Sequence, residues 1–278
     1  MSEIKNKENY FINQFAKSKY IGDDGAVLGK YVYSMDAFFQ NVHFKTEWLS
    51  LKQIAKKSML INISDAIVMN AKPKYALLSV AIPPHFSKKE LDELAQGFNE
   101  VAKEYNIEII GGDTISNEKL DISITIVSKT KSPVFRTGSS VGDIVCYTGD
   151  LGSVKKDLET LLDGKKVKKG SKFIEPKLNP KFFYKVAKYI NSAMDISDGL
   201  FFELERLSKA NKLGFDFYED IPSSIGCSGE EYEVLFTFDP TQQKKIEKIA
   251  NKYNIKLNFI ATTTKGKYRC SCKSHHFN

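Results

Sequence analysis

The residues best placed to do chemistry in this 278-residue chain are aspartates near glycines or other small residues. Asp23 and Asp24 stand in Ile21–Gly22–Asp23–Asp24–Gly25–Ala26–Val27. Asp36 closes a strand-like run, and Asp113 follows an apolar run and two glycines. Asp195 and Asp198 share Met194–Asp195–Ile196–Ser197–Asp198–Gly199. Each falls at an expected strand end or helix start. Glycine lets a backbone approach a ligand closely. The carboxyl ends of strands are the usual site edge in α/β folds.

Asp65 differs, because its neighbours are Leu60, Ile61, Ile63, Ala66, Ile67, Val68 and Met69. A helix apolar on nearly every side is buried. Ser58, Asn62 and Asp65, spaced by four and three, form its one polar stripe. A carboxylate there must be paired or bound to a metal. Taken singly, each aspartate also reads as a turn former or a helix N-cap. Taken together they read as a convergent set. Two carboxylates about 4 Å apart repel by about 4 kcal/mol at an effective dielectric near 20, so such a set needs cations. Oxygen ligands without nearby thiols or imidazoles favour Mg²⁺, whose standard use is to bridge carboxylates to a polyphosphate.

Other residues add less. Arg136 opens Arg136–Thr137–Gly138 and reads as a phosphate fork or a surface ion pair. His43, seven residues after Asp36, can meet an anion or serve the fold. Cys270 and Cys272, followed by His275 and His276, are a weak zinc pattern, since ligands one residue apart chelate poorly. Four cysteines are too few for a disulfide scaffold.

The net charge of +7 raises nucleic-acid binding. Yet Arg136, Arg206 and Arg269 are the only arginines among 41 basic residues, and no basic groove interleaved with aromatics is apparent. No nucleic-acid partner is expected, and a bias toward small anionic substrates is. No apolar run is long enough to span a membrane, and the amino-terminal residues lack a signal-peptide core, so a cytoplasmic protein without membrane contact is expected.

The elements that must position these residues alternate between strand and helix. Strands are expected at Tyr31–Met35, Tyr75–Ile82, Ile107–Ile110, Asp121–Ser128, Ile144–Thr148, Glu233–Phe238 and Ile255–Ile260. Helices are expected at Leu51–Ala71, from Ser87 to Tyr105 with Glu90 completing a capping box, at Pro180–Asn191, Asp198–Asn211 and Thr241–Tyr253. The Lys- and Gly-rich stretch Asp163–Lys172 reads as an exposed loop, and the tail from Thr262 as polar. The expectation is an α/β chain with mixed α+β sheets in two domains, 1–137 and 138–278. No GxxxxGK[ST] or GxGxxG loop occurs, which argues against a P-loop kinase and a dinucleotide-binding Rossmann domain.

Seven blocks together carry a resemblance: IGDDGAVL (21–28), SMDAFFQNVHF (34–44), INISDAIVMNAKPKYALLSVAIP (61–83), IIGGDTISN (109–117), RTGSSVGDIVCYTGDLG (136–152), AMDISDGL (193–200) and SGEEYEVLFT (228–237). In this order over nearly the whole chain, they resemble the thiamine-monophosphate kinases. That family belongs to the superfamily of aminoimidazole ribonucleotide synthetase and selenophosphate synthetase. The resemblance implies an aminoimidazole ribonucleotide synthetase-like fold. Its N-terminal domain would bind ATP and Mg²⁺ and form a homodimer through its sheet, and its C-terminal domain would cover the site. It implies direct in-line transfer of the ATP γ-phosphoryl group to thiamine monophosphate, with several Mg²⁺ ions. Carried over by position, Asp24, Ser34, Asp36, Asp65, Asp113, Asp195 and Asp198 would hold metal. Gly112, Asp113, Arg136 and Ser197 would contact ATP. His43, Glu230 and the aromatic Phe277 would contact the acceptor.

The sequence departs from the family pattern at Met35, where threonine is usual, and at Glu231, where aspartate is. The stretch before Glu230 is also shorter than usual, which bears on the acceptor-side wall. Selenophosphate synthetase would require a reactive cysteine near the amino terminus, which residues 1–20 lack. Another ATP-using member of the superfamily, or a non-catalytic nucleotide-binding module, is the alternative reading.

Overall fold

The structure is a computed structural model that describes residues 7–15 and 18–272. In chain order the elements are α1 (Lys7–Asn13), β1 (Ala26–Leu28), β2 (Tyr31–Phe39), α2 (Leu51–Val68), β3 (Lys72–Ile82), α3 (Lys88–Tyr105), β4 (Glu108–Ser116) and β5 (Asp121–Lys129). There follow β6 (Ile144–Thr148), α4 (Ser153–Leu162), α5 (Pro180–Val186), β7 (Ser192–Asp195), α6 (Leu200–Asn211), β8 (Leu213–Phe217), α7 (Ser223–Gly226), β9 (Val234–Phe238), α8 (Gln243–Tyr253) and β10 (Leu257–Lys265).

Two five-stranded mixed α/β layers result. The first sheet has the order β1-β2-β5-β3-β4 and the second β7-β9-β6-β10-β8. In the first, β3 and β4 are parallel, because helix α3 crosses over between them. The other pairings are antiparallel. On β5, Ile122, Ile124 and Ile126 are buried on one face, as their alternation predicts.

Helix α2 is the axis of the molecule. Ser50 caps it, with Gln53 answering in a capping box. Nearly every residue from Leu51 to Val68 is buried. It packs against β2 and β5 of the first sheet and against β7 and α5 of the second half. A single apolar cluster therefore runs from Ile63 and Ile67 to Phe182, Phe183 and Phe236. Helix α3 starts at the Ser87–Glu90 capping box that its sequence announces. Its Gly97 lets it press onto α2, since a Cβ there would stand 2.4 Å from the Lys52 carbonyl oxygen.

Several expectations change. Asp36 lies inside β2 rather than at its end, because pairing with β5 continues to Phe39. The strand expected to end at Ile110 runs on: Gly111–Gly112–Asp113–Thr114 continues β4 alongside β3. Gly112 is needed there for strand packing, with φ 147° and a would-be Cβ 1.7 Å from the Leu78 carbonyl oxygen. The helix from Pro180 is α-helical to Val186, tightens into a 3-10 turn at Ala187–Tyr189 and is followed by β7. Strand β10 extends to Lys265, carried by pairing with β8. No helix among the described residues is long and apolar enough to cross a membrane.

Candidate active site

Five aspartates from different elements face one another. Asp24 comes from the loop before β1, Asp36 from β2 and Asp65 from α2. Asp195 ends β7, and Asp198 lies in the turn into α6. The carboxylate oxygens of Asp24, Asp65 and Asp195 lie within 4.8 Å of one another. Asp36 hydrogen-bonds Asp65 and feels the charges of Asp24 and Asp198. Ser64 donates to Asp195 Oδ2 at 2.7 Å. Ser34, two residues before Asp36 on the same face of β2, is buried and donates to the Asn62 carbonyl at 3.2 Å. The Asn62 Oδ1 atom is itself buried with no partner among the described residues.

This arrangement is electrostatically expensive. Burial first, and then Asp24, push Asp36 up to about 6. Burial and the charges of Asp36, Asp195 and Asp24 raise Asp65 well above its ordinary value. Burial and Asp24 do the same to Asp195. Two arginines offset part of the charge. Arg136 grips Asp24 with Nη2 at 2.6 Å and Nε at 3.3 Å, while its backbone N–H donates to Asp23 at 2.7 Å. Arg206 pairs with Asp198 at 2.5 Å and with Glu203 at 2.8 Å. An all-oxygen donor set, with a free amide oxygen beside it and more anions than cations, fits hard divalent ions such as Mg²⁺.

The aspartates open onto a cavity of about 690 Å³. Asp36, Asp65, Asp195 and Asp198 line it on one side. Ser197, His43 and Glu230 also line it, beside an aromatic wall of Trp48, Phe173 and Tyr232. Trp48 and Phe173 meet edge to face at 6.1 Å. His43 is fixed by the Phe39 N–H, which donates to its Nδ1 at 3.0 Å. Glu230 adopts a left-handed φ of 55°, its N–H donates to the Ser197 carbonyl at 2.6 Å, and its Oε2 accepts from Lys57 at 2.6 Å.

Of the residues marked from sequence, the structure thus brings together Asp24, Ser34, Asp36, Asp65, Asp195, Asp198, Arg136, Ser197, His43 and Glu230. It does not bring Gly112 and Asp113 to them within one chain. Both sit on the exposed edge strand β4. Phe277 lies outside the described residues. The Met35 side chain is exposed on the face of β2 opposite the cluster and offers it nothing.

Three residues escaped the sequence reading: Trp48, Phe173 and Lys57. Lys57 had a signal, a lone charge on the apolar face of the same helix as Asp65. Phe173 had none, because it adjoins the Lys-rich stretch that reads as a loop. The Cys-x-Cys pattern is not a zinc pair: Cys272 forms a disulfide with Cys227, Cα–Cα 5.7 Å, and Cys270 is free. His275 and His276 lie outside the described residues.

Residues 22–130 match the family described as AIR synthase related protein, N-terminal domain. The thiamine-monophosphate kinase of Nitrosopumilus maritimus is 31% identical over 257 residues, covering 82% of this chain and 83% of its own length. That of Bacillus subtilis is 30% identical, covering 72% and 67%. In fold, the chain superposes on AaThiL complexed with AMPPCP and TMP with a TM-score of 0.87 at 24% identity, each covered in full. The identity and coverage of these relatives establish that the chain belongs to the thiamine-monophosphate kinase family.

Proposed function

We propose that this protein transfers the γ-phosphoryl group of ATP to thiamine monophosphate in a direct, in-line step, giving thiamine diphosphate and ADP. The observation that carries this reading is the convergence of Asp24, Asp36, Asp65, Asp195 and Asp198, the last four lining a cavity that also holds aromatic rings and Glu230. The names of its relatives, and the ATP analogue and TMP bound by AaThiL, support it.

ATP is a polyanion and the acceptor presents a phosphate dianion beside its cationic ring. Mg²⁺ held by the aspartates and Ser34 would supply the charge neutralisation that phosphoryl transfer requires. The chain's own residues orient the reactants. Arg136 is placed to offer its fork to ATP phosphate, exchanging it for Asp24. Ser197 meets the nucleotide from the turn after β7. His43 meets the acceptor phosphate, and Glu230 its cationic ring end. The acceptor oxygen is already an anion near neutral pH, so no protein base is needed. Alignment does the remaining work.

The protein works as a homodimer through the first sheet. Tyr33, Met35, Phe39, Leu77 and Ile115 leave the outer face of that sheet apolar and exposed. Asp113 on that face, with Gly112 next to it on β4, serves the nucleotide site only when a second copy covers the sheet. The chain divides functionally into 1–137 and 138–278, with the cavity between them. Incubation with ATP, thiamine monophosphate and Mg²⁺, followed by ³¹P NMR, tests the reading. It expects ADP and thiamine diphosphate, and absence of the diphosphate under saturating substrates rejects it.

A further inference from the structure

The side chain of Lys57 is wholly buried, yet it ends in an amine paired with a carboxylate. Its Nζ lies 2.6 Å from Glu230 Oε2, 4.3 Å from the centroid of the Phe173 ring and 5.6 Å from that of Phe38. The neighbouring Lys56 pairs with Glu175 at 2.9 Å near the surface. Two successive lysines of α2 thus tie down two segments, the Lys172–Glu175 stretch and the turn around Glu230. Lys172 completes the attachment by pairing with Glu233 at 2.6 Å and Glu231 at 3.3 Å.

A buried ion pair is weak evidence of a stability role, because apolar residues of similar volume often serve as well or better. A methionine at position 57 would fill the same space against Phe38 and Phe173. The charge does something packing does not: it fixes one oxygen of a carboxylate that is about a quarter exposed and lines the cavity. The backbone hydrogen bond to Ser197 fixes the other end of that residue.

We infer that Lys57 is a positioning residue for the acceptor, holding the Glu230 carboxylate and the Phe173 ring in the arrangement that receives a flat cationic ring. The inference rests on the proposed function, and deepens it by assigning acceptor recognition to a residue that does not line the cavity. Lys57 acts through Glu230 by a charged hydrogen bond and through Phe173 by its ammonium over the ring.

Steady-state kinetics of Lys57→Met, Lys57→Arg, Glu230→Gln and the Lys57→Met/Glu230→Gln double variant test it, with thiamine monophosphate and ATP varied separately. Lys57→Met should raise the KM for thiamine monophosphate about tenfold or more, the effect of losing a hydrogen bond to a charged group. The KM for ATP should stay within about twofold of wild type. Lys57→Arg should recover most of the loss. The double variant should be no worse than Glu230→Gln alone. If Lys57→Met does not fold, Phe173→Leu replaces it, with the same KM split expected at smaller size. Equal rises in both KM values, or additive effects in the double variant, overturn the inference. So does an unchanged acceptor KM in Lys57→Met when Glu230→Gln raises it, and that result leaves the proposed function standing. A wild-type enzyme that does not phosphorylate thiamine monophosphate removes the proposed function itself.

Discussion

Asp36 and Asp113 lie on opposite faces of one sheet, three strands apart. Register makes this plain. Asp36 is opposite Ile124, which is opposite Leu78, which is opposite Gly112; Asp113 is in the adjacent row with Ser79, Ser123 and Ala37. Residues opposite one another share a face, and neighbours along a strand alternate. Asp36 therefore points to the core and Asp113 to the open face, about 14 Å across the sheet.

If Asp113 serves the site of a second copy, two inactive chains can repair each other. Asp113→Asn and Asp65→Asn should each lose activity by orders of magnitude alone. Mixed dimers, formed by unfolding and refolding the two together, should regain activity, since one of their two sites then has every residue. No regain in verified mixed dimers would refute the shared-site arrangement. Ile115→Lys should yield a monomer by light scattering.

The raised carboxyls set a pH dependence of stability. Asp36 moves from 3.8 to about 6, and Asp65 and Asp195 move well above the same starting value. Between the ordinary and raised values the folded chain holds more protons than the unfolded one. Stability from these groups is thus present at acid pH and lost as pH rises through about 6 and beyond. Without divalent ions, the melting temperature should fall more between pH 5 and 7.5 for the wild type than for Asp65→Asn. Mg²⁺ requires ionised ligands, so it should raise the wild-type melting temperature at pH 7.5 far more than at pH 5. Parallel pH profiles for the two proteins would contradict this account.

Arg136 has two duties, an ion pair with Asp24 and the proposed ATP contact. Arg136→Lys keeps a charge but loses the planar fork. Both Arg136→Lys and Arg136→Ala should raise the KM for ATP by about tenfold or more, with little change for thiamine monophosphate. An ATP KM unchanged in Arg136→Ala would exclude the contact.

Glu231 joins two segments of the fold. Its buried carboxylate accepts from the Gly152 N–H at 2.6 Å, the Val154 N–H at 3.2 Å and Ser228 at 2.7 Å, tying the Glu230 turn to the start of α4. Glu231→Ala leaves those donors and Lys172 without their partner. It should cost about 2–4 kcal/mol in urea denaturation. A loss below 0.5 kcal/mol would mean water or a neighbour replaces it.

Much of this was legible in the sequence, for identifiable reasons. The α3 capping box, the alternation of β5 and the apolar surround of Asp65 are local signals, and local signals survive without a partner. The same locality misled at Gly111–Gly112–Asp113, where two glycines looked like the end of a strand and are instead the contact of one strand with another. Strands β7 and β8, four and five residues long, gave too little periodicity to find. Helix α4 buries Val154 and Leu161 on a largely charged surface, so its apolar stripe was faint. The partnership of Lys57 with Glu230 spans 173 positions and belongs to the fold alone.

One consequence follows from α2 serving both halves. Lys57 and Asp65 are eight residues apart on the same rigid helix, a rise of about 12 Å. On the proposed reading, the place that steadies Glu230 and the place that gathers the phosphates cannot drift apart or together without breaking that helix. An acceptor held at both ends would then be measured against a ruler of fixed length, and a homologue one methylene longer or shorter between ring and phosphate should bind more weakly.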